Sequence, residues 1–284
     1  MSKKLLVLDF DGTMTDAEAE GAPYRQGYLE DIAILAGLET AQVLALADRF
    51  EEQVRNDISR FGWEFGGRIV APASVDPYLR IMPVARMVLD NVGAFQDPDQ
   101  RARLLDGILY KYNYTKTRIV FREGAREALE SLHGTATYVV TNSHTVPVRN
   151  KIKHLGSNAD GTNTLTWLVE RVHGRARKYV IDDDFTAVPE SLALPGLARP
   201  VFLRRRLYHD ALRALLDAEG LDWPDLVVCG DIFELDLALP LAMGGTVALM
   251  ANDYTPLHEI NHLNEHPRGQ VLHGLDAVPG LIGQ

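Results

Sequence analysis

Disulfides and thiolate metal sites are the first things this sequence excludes, because its 284 residues hold a single cysteine, Cys229. Positive charge is also scarce. Lys and Arg number 29 against 39 Asp and Glu, a formal charge of −10. A general nucleic-acid binder needs a basic surface, so no nucleic-acid partner is expected. A small phosphorylated ligand is not excluded, since one local cation and a metal ion outweigh the global field at short range. Long apolar runs are missing too. Leu5 to Leu8, which meets Asp9 at once, is too short for a signal peptide or a membrane span. A cytoplasmic protein with no membrane partner is the resulting expectation. Internal repeats and low-complexity tracts are absent. What remains is an ordinary globular composition, 46% hydrophobic and 24% charged. This length suits one large domain or a core with an inserted subdomain.

Several short apolar runs end on polar residues. Leu5–Phe10 is broken by Asp9 and Asp11, and Thr137–Thr141 is closed by Asn142, Ser143 and His144. Leu226–Cys229 leads to Gly230 and Asp231, and Gly245–Met250 to Asn252 and Asp253. Pro200–Leu203 is closed by Arg204, Arg205 and Arg206, and Tyr179–Ile181 by Asp182, Asp183 and Asp184. These runs read as buried strands. Helical patterns at Glu123–Leu132, Leu207–Glu219 (with Gly220 as its cap) and Leu235–Met243 separate them. Alternation of this kind predicts an α/β fold, a doubly wound Rossmann-like parallel sheet. Ligands of such sheets bind at the C-terminal strand ends, where these polar residues fall.

Between Thr15 and Arg118 the pattern turns helical. It covers Leu29–Phe61, broken at Gly37, then Val84–Val92 and Gln100–Tyr112, with a brief strand expected at Gly67–Val70. A structureless loop of this length is rare. The expected organisation is a catalytic α/β core from residues 1–15 and 118–284, with residues 16–117 as an inserted, mostly helical cap.

Asp9-Phe10-Asp11-Gly12-Thr13 carries the most chemistry. On extended backbone its two acids point the same way and repel, and a divalent cation relieves that repulsion. Gly12 permits the turn that follows. A calcium loop has similar spacing and an acid at its twelfth position, here Glu20. Such loops follow a helix, however, and here a strand precedes and glycine comes directly after Asp11.

With these residues the chain resembles the haloacid dehalogenase-like hydrolases, most of which are phosphatases. Asp9–Thr13 corresponds to their first motif, Thr141 in Val-Val-Thr-Asn-Ser to the second, and Gly230-Asp231 with Asp236 to the fourth. The resemblance implies a Mg²⁺-dependent phosphatase acting on a small phosphate monoester through an aspartyl-phosphate intermediate. In that scheme Asp9 is the nucleophile and Asp11 the general acid and base. Thr141 bonds a phosphate oxygen, and Asn142 either holds the turn or touches substrate. Mg²⁺ is held by Asp9, the Asp11 carbonyl and Asp231, with Asp236 supporting them from behind or through water. The helical cap gates the site and selects the leaving group.

The third motif is a basic residue at the start of a later helix. Arg206 is the expectation and Arg205 the next choice, because the arginines follow the Pro200–Leu203 run and precede a helix; Arg204 and Lys178 also compete. Phosphomutases share these motifs, and a ligand-binding protein on the same scaffold is the alternative from another class. Dehalogenases do not use Mg²⁺, so Asp11 and the Asp231/Asp236 pair argue against that chemistry. A phosphonate-cleaving relative needs a cap lysine, for which Lys111 and Lys116 are nearest. Monomer and homodimer stay open. Ser143 is expected to serve local structure, Glu234 to face solvent, Cys229 to pack in the core and Asp182–Asp184 to form a solvated turn. His258, His262 and His266 share a helical face, but no further ligand completes a zinc motif.

Overall fold

The computed structural model describes residues 3–112 and 118–283. Lys116 lies outside the described residues. In chain order the elements are β1 (Leu5–Leu8), α1 (Ala17–Ala36), α2 (Thr40–Asn56), β2 (Gly62–Phe65), β3 (Arg68–Pro72), α3 (Pro77–Val92), α4 (Pro98–Tyr112) and α5 (Ala125–Ser131). There follow β4 (Ala136–Val140), α6 (Thr145–Gly156), α7 (Thr166–Val169), β5 (Val172–His173), β6 (Ser191–Leu192), β7 (Val201–Phe202) and α8 (Arg206–Glu219). The chain closes with β8 (Leu226–Gly230), α9 (Ala238–Ala242), β9 (Thr246–Met250), α10 (Leu257–Glu265) and β10 (Gly269–Leu272).

Among the described residues, six strands form one sheet in the order β10-β9-β8-β1-β4-β5, with every pairing parallel. Parallel strands need crossovers, and the intervening helices supply them. The strand β1 lies between β8 and β4, and all four of its residues are buried, as an unbroken apolar run requires. Its register sets Leu8 opposite Cys229 on one side and Val139 on the other. Asp9, Thr141 and Asp231 are each the first residue beyond their strand. The sheet topology alone therefore brings these three to one edge.

Two expected strands are corrected. Tyr179–Ile181 forms none, and β5 at Val172–His173 takes the sheet edge instead. Pro200–Leu203 yields only β7, which pairs antiparallel with β6 in a ribbon separate from the main sheet. The arginines after it therefore do not stand at a main-sheet strand end.

The chain divides into two compact units, one of Met1–Asp16, Glu64–Ala71 and Phe121–Gln284, the other of Ala17–Trp63 and Pro72–Val120. Residues 64–71, inside the stretch read as insertion, thus group with the sheet. They include the turn between β2 and β3, where Gly66 and Gly67 both take positive φ (58° and 75°), as a tight hairpin demands. The second unit is helical and has its own core, including Tyr24, Tyr28, Ile32, Val43, Phe50, Val84 and Leu89. Asp76 caps α3 by accepting from the Tyr78 and Leu79 amides at 2.7 and 3.1 Å, with Pro77 in the first helical position. No described helix is long and apolar enough to cross a membrane.

Candidate active site

Asp9 leaves β1 with its amide still bonded to the Cys229 carbonyl at 2.8 Å, and its side chain is buried. The backbone then turns at Gly12, where φ is +81°. A Cβ there would lie 2.1 Å from Asp231 Oδ2, so both conformation and space require glycine. Thr13 Oγ1 is 3.4 Å from Asp9 Oδ2 and 3.2 Å from Asp231 Oδ1. One hydroxyl proton serves only one of them at a time, so these two carboxylates face each other across Thr13.

A buried ammonium ties Asp9 to the fourth motif. Lys178 Nζ donates to Asp9 Oδ1 and to Asp236 Oδ1, both at 2.7 Å, and the lysine is 1% exposed. The second Asp236 oxygen accepts from the Ile232 amide at 3.1 Å, across the wide helical turn Phe233–Leu237. Burial works against the charge on Lys178, but Asp236 and Asp9 outweigh it and hold its pKa above the ordinary lysine value. Burial also lifts Asp9 to about 7, against the pull of Lys178 and with Asp236 and Asp11 adding to the rise.

Asp9, Asp231 and Asp236 each offer an oxygen within 4.8 Å of the others. Three carboxylates, two of them bonded to one ammonium, leave an excess of negative charge in a buried place, and hard oxygen donors of this kind suit a divalent cation. Lys178 and the Ile232 amide already occupy both Asp236 oxygens.

Asp11 takes other partners than Asp9 does. Its Oδ2 accepts from Ser143 Oγ at 2.6 Å and its Oδ1 is 3.3 Å from Lys151 Nζ. Thr141 is buried; its amide bonds the His173 carbonyl at 3.0 Å, and its hydroxyl oxygen accepts from the Ser143 amide at 3.1 Å. Asn142 Oδ1 accepts from the Lys178 amide at 2.8 Å, so Asn142 fixes the backbone that carries the ammonium. The Ala176 amide bonds the Thr141 carbonyl at 2.9 Å, and the Arg175 amide bonds the Ser143 carbonyl at 2.8 Å. Arg175 and Arg177 take φ of 57° and 50°, a left-handed conformation that non-glycine residues rarely hold without tethers.

The cation beside Asp9 is thus Lys178, and both expected arginines are corrected. Arg206 is 45% exposed and pairs with Asp182 at 2.6 Å. Arg205 is buried but points elsewhere: its guanidinium donates to the carbonyls of Lys178, Val70 (2.9 Å) and Phe202 (3.1 Å). Burial pulls its pKa down to about 10. Arg204 bonds the Asp183 carbonyl at 2.9 Å. The basic run and the acidic run therefore largely satisfy each other, with Arg68 also gripping Asp183 at 2.8 and 2.9 Å.

Glu234, expected at the surface, is fully buried and paired through both oxygens with Arg199. Cys229 is buried in the core. Ser143 and Lys151 gain importance that spacing alone did not suggest. A hydroxyl two residues after a strand-end threonine, and a lysine two turns into the next helix, were the available signals.

No protein-family model and no curated protein matches the chain. Solved structures do. A haloacid dehalogenase-like family hydrolase from Xanthomonas campestris is 16% identical over 98% of this chain and 94% of its own, with a TM-score of 0.52. A predicted phosphoglycolate phosphatase from Haemophilus somnus is 15% identical over 99% and 98%, with a TM-score of 0.53. A conserved haloacid dehalogenase-like protein of unknown function from Agrobacterium tumefaciens is also 15% identical over 99% and 98%, at 0.50. Together with the parallel six-stranded sheet and its inserted helices, these likenesses give the chain the fold of the haloacid dehalogenase-like hydrolases.

Proposed function

We propose that the protein is a Mg²⁺-dependent phosphatase that hydrolyses a small phosphate monoester through an aspartyl phosphate on Asp9. The observation that carries this reading is the Lys178 ammonium, held 2.7 Å from a buried aspartate at the end of the central strand. A buried carboxylate beside a fixed cation and a second, more accessible acid two residues on is what phosphoryl transfer to an aspartate demands.

In this scheme a carboxylate oxygen of Asp9 attacks phosphorus and the ester oxygen leaves. Asp11 gives that oxygen a proton, then removes one from the water that hydrolyses the aspartyl phosphate. Lys178 offsets charge on the transferring group and on Asp9. Thr141 donates its hydroxyl to a phosphoryl oxygen. Asn142 keeps Lys178 in place through its backbone amide. When bound by Asp9, Asp231 and the Asp11 carbonyl, Mg²⁺ would neutralise phosphate charge that otherwise repels the nucleophile.

The test is hydrolysis of a panel of phosphate monoesters with added Mg²⁺. Turnover should vanish with excess chelator. Asp9→Asn should lower it by at least ~10³-fold, since the covalent route is removed. Full activity in that variant, or with the metal stripped, would refute the scheme.

A further inference from the structure

The carboxylate of Asp11 is held by donors from two different elements, and this arrangement has no place in the scheme above. Ser143 Oγ, from the turn between β4 and α6, bonds Oδ2 at 2.6 Å. Lys151 Nζ, from the middle of α6, is 3.3 Å from Oδ1. Each carboxylate oxygen therefore has its own donor. We propose that Lys151 and Ser143 are positioning residues that fix Asp11 in the orientation its proton transfers require, a role that rests on the phosphatase reading.

Stability alone does not account for the pair. The Asp11 side chain is 34% exposed and that of Lys151 21%, and ion pairs at such exposure contribute little to folding. Orientation is where the geometry acts. A part-exposed aspartate on a loop samples several rotamers, and holding one of them is what proximity catalysis rewards.

Both donors come from rigid places. Lys151 projects from a helix anchored in the core by Val148 and Ile152, and its ammonium lies 5.6 Å from the ring centroid of buried Phe10, the residue between the two acids. That contact aligns the lysine with the acidic loop. The Ser143 backbone is pinned at both its groups, the amide by Thr141 Oγ1 at 3.1 Å and the carbonyl by the Arg175 amide at 2.8 Å. The same serine turn that receives the Arg175–Lys178 segment thus also aims Asp11.

A double-mutant cycle tests the proposal, with p-nitrophenyl phosphate and saturating Mg²⁺. The proteins are the wild type, Asp9→Asn, Lys151→Met, Lys151→Arg, Ser143→Ala, Asp11→Asn and the combination of Lys151→Met with Asp11→Asn. Lys151→Met should lower kcat by about 10-fold with KM and Tm nearly unchanged, and Lys151→Arg should recover most of it. In the Asp11→Asn background the Lys151→Met change should cost nothing further, because the lysine acts through the acid it holds. Ser143→Ala should behave in the same way and carries the test if Lys151→Met does not fold. An undiminished kcat, a loss confined to KM, or the same loss with and without Asp11 would overturn the positioning role while leaving the phosphatase intact. A wild type without turnover, or one matched by Asp9→Asn, overturns the phosphatase reading and the positioning role together.

Discussion

The ends of β1, β4 and β8 carry Asp9, Thr141 and Asp231 on regular backbone, whereas residues 174–206 carry Lys178 and Arg205 on a path whose described strands are two residues each. In the first region, ladder pairing fixes each side chain: Asp9 follows Leu8 because Leu8 is locked between Val139 and Cys229. In the second, position comes from individual tethers. Asn142 holds the Lys178 amide, Thr141 holds Ala176, and Arg205 holds the Lys178 carbonyl. The irregular region is thus built against the regular one. Its left-handed arginines show that the tethers override local backbone preference.

The largest expected effect separates Lys178 from Arg206, the residue that the sequence ranked first. Lys178→Ala removes the ammonium between Asp9 and Asp236 and should lower kcat/KM by ~10²–10³-fold, the usual scale for one preorganised charge. Arg206→Ala removes an exposed partner of Asp182 and should stay within about 2-fold of wild type. Kinetics of both variants on the best ester, with folding checked by circular dichroism, decide it. If Arg206→Ala is the more damaging change, the tethered segment has been misassigned as the source of the cation.

Arg205 tests the tether itself. Its guanidinium satisfies three carbonyls, two of them on residues of the irregular path, Lys178 and Phe202. Arg205→Ala strands those acceptors in the interior, at ~1–3 kcal/mol for each left unsatisfied. A clear drop in the urea midpoint should result, and kcat should fall with it as Lys178 loses its backbone support. Unchanged stability would mean the path holds itself.

Legibility from sequence follows the same division. The strands at Leu5, Thr137, Leu226 and Gly245 were readable because buried parallel strands are continuous apolar runs, and Asp9 and Asp231 of the carboxylate cluster stand at the ends of two of them. The inserted helices were readable from their period only in part, since α1 already begins at Ala17 and α3 at Pro77. Gly37, which breaks the Leu29–Phe61 pattern, indeed stands between α1 and α2 with φ of 66°. Residues 172–206 were readable only at the Asp182–Asp184 turn. The edge strand β5 has two residues, too few for a period, and β7 looked like a sheet strand because its local composition is the same. Arg204, Arg205 and Arg206 occupied the place expected of a basic motif. Only tertiary contacts show that Asp182, Asp183 and backbone carbonyls claim them. Glu234 was misread because nothing local announces its partner Arg199, 35 residues upstream.

Gly12→Ala probes the regular side of the comparison. The new methyl would lie 2.1 Å from Asp231 Oδ2 on backbone at φ +81°, so either the loop or Asp231 must move. Since Asp231 is a proposed metal ligand, the Mg²⁺ needed for half-maximal rate should rise by ~10-fold or more, the range seen when metal-site support is lost. A magnesium titration of turnover measures this. A variant with unaltered metal requirement would show that the close approach of loop and Asp231 is incidental.

The smallest effect compares two acids displaced in the same direction, Asp9 in the tethered site and Asp76 at the start of a regular helix. Burial raises the Asp76 pKa from 3.8 to about 6 despite the Leu79 and Tyr78 amides, with Glu18 adding to the rise and Arg80 opposing it. Between those two values the folded state keeps a proton that the unfolded chain has released. Stability from Asp76 is therefore present at low pH and is lost as pH rises through the window from 3.8 to about 6. Asn caps helices as well as Asp but carries no charge. Asp76→Asn should then match wild type near pH 4 and exceed it at pH 7 by on the order of 1 kcal/mol, or ~4–8 °C in Tm for a unit of about 100 residues. Thermal melts of both proteins across that range provide the check. A variant less stable than wild type at pH 7 would mean that the charge on Asp76 favours the cap through the helix dipole more than burial opposes it.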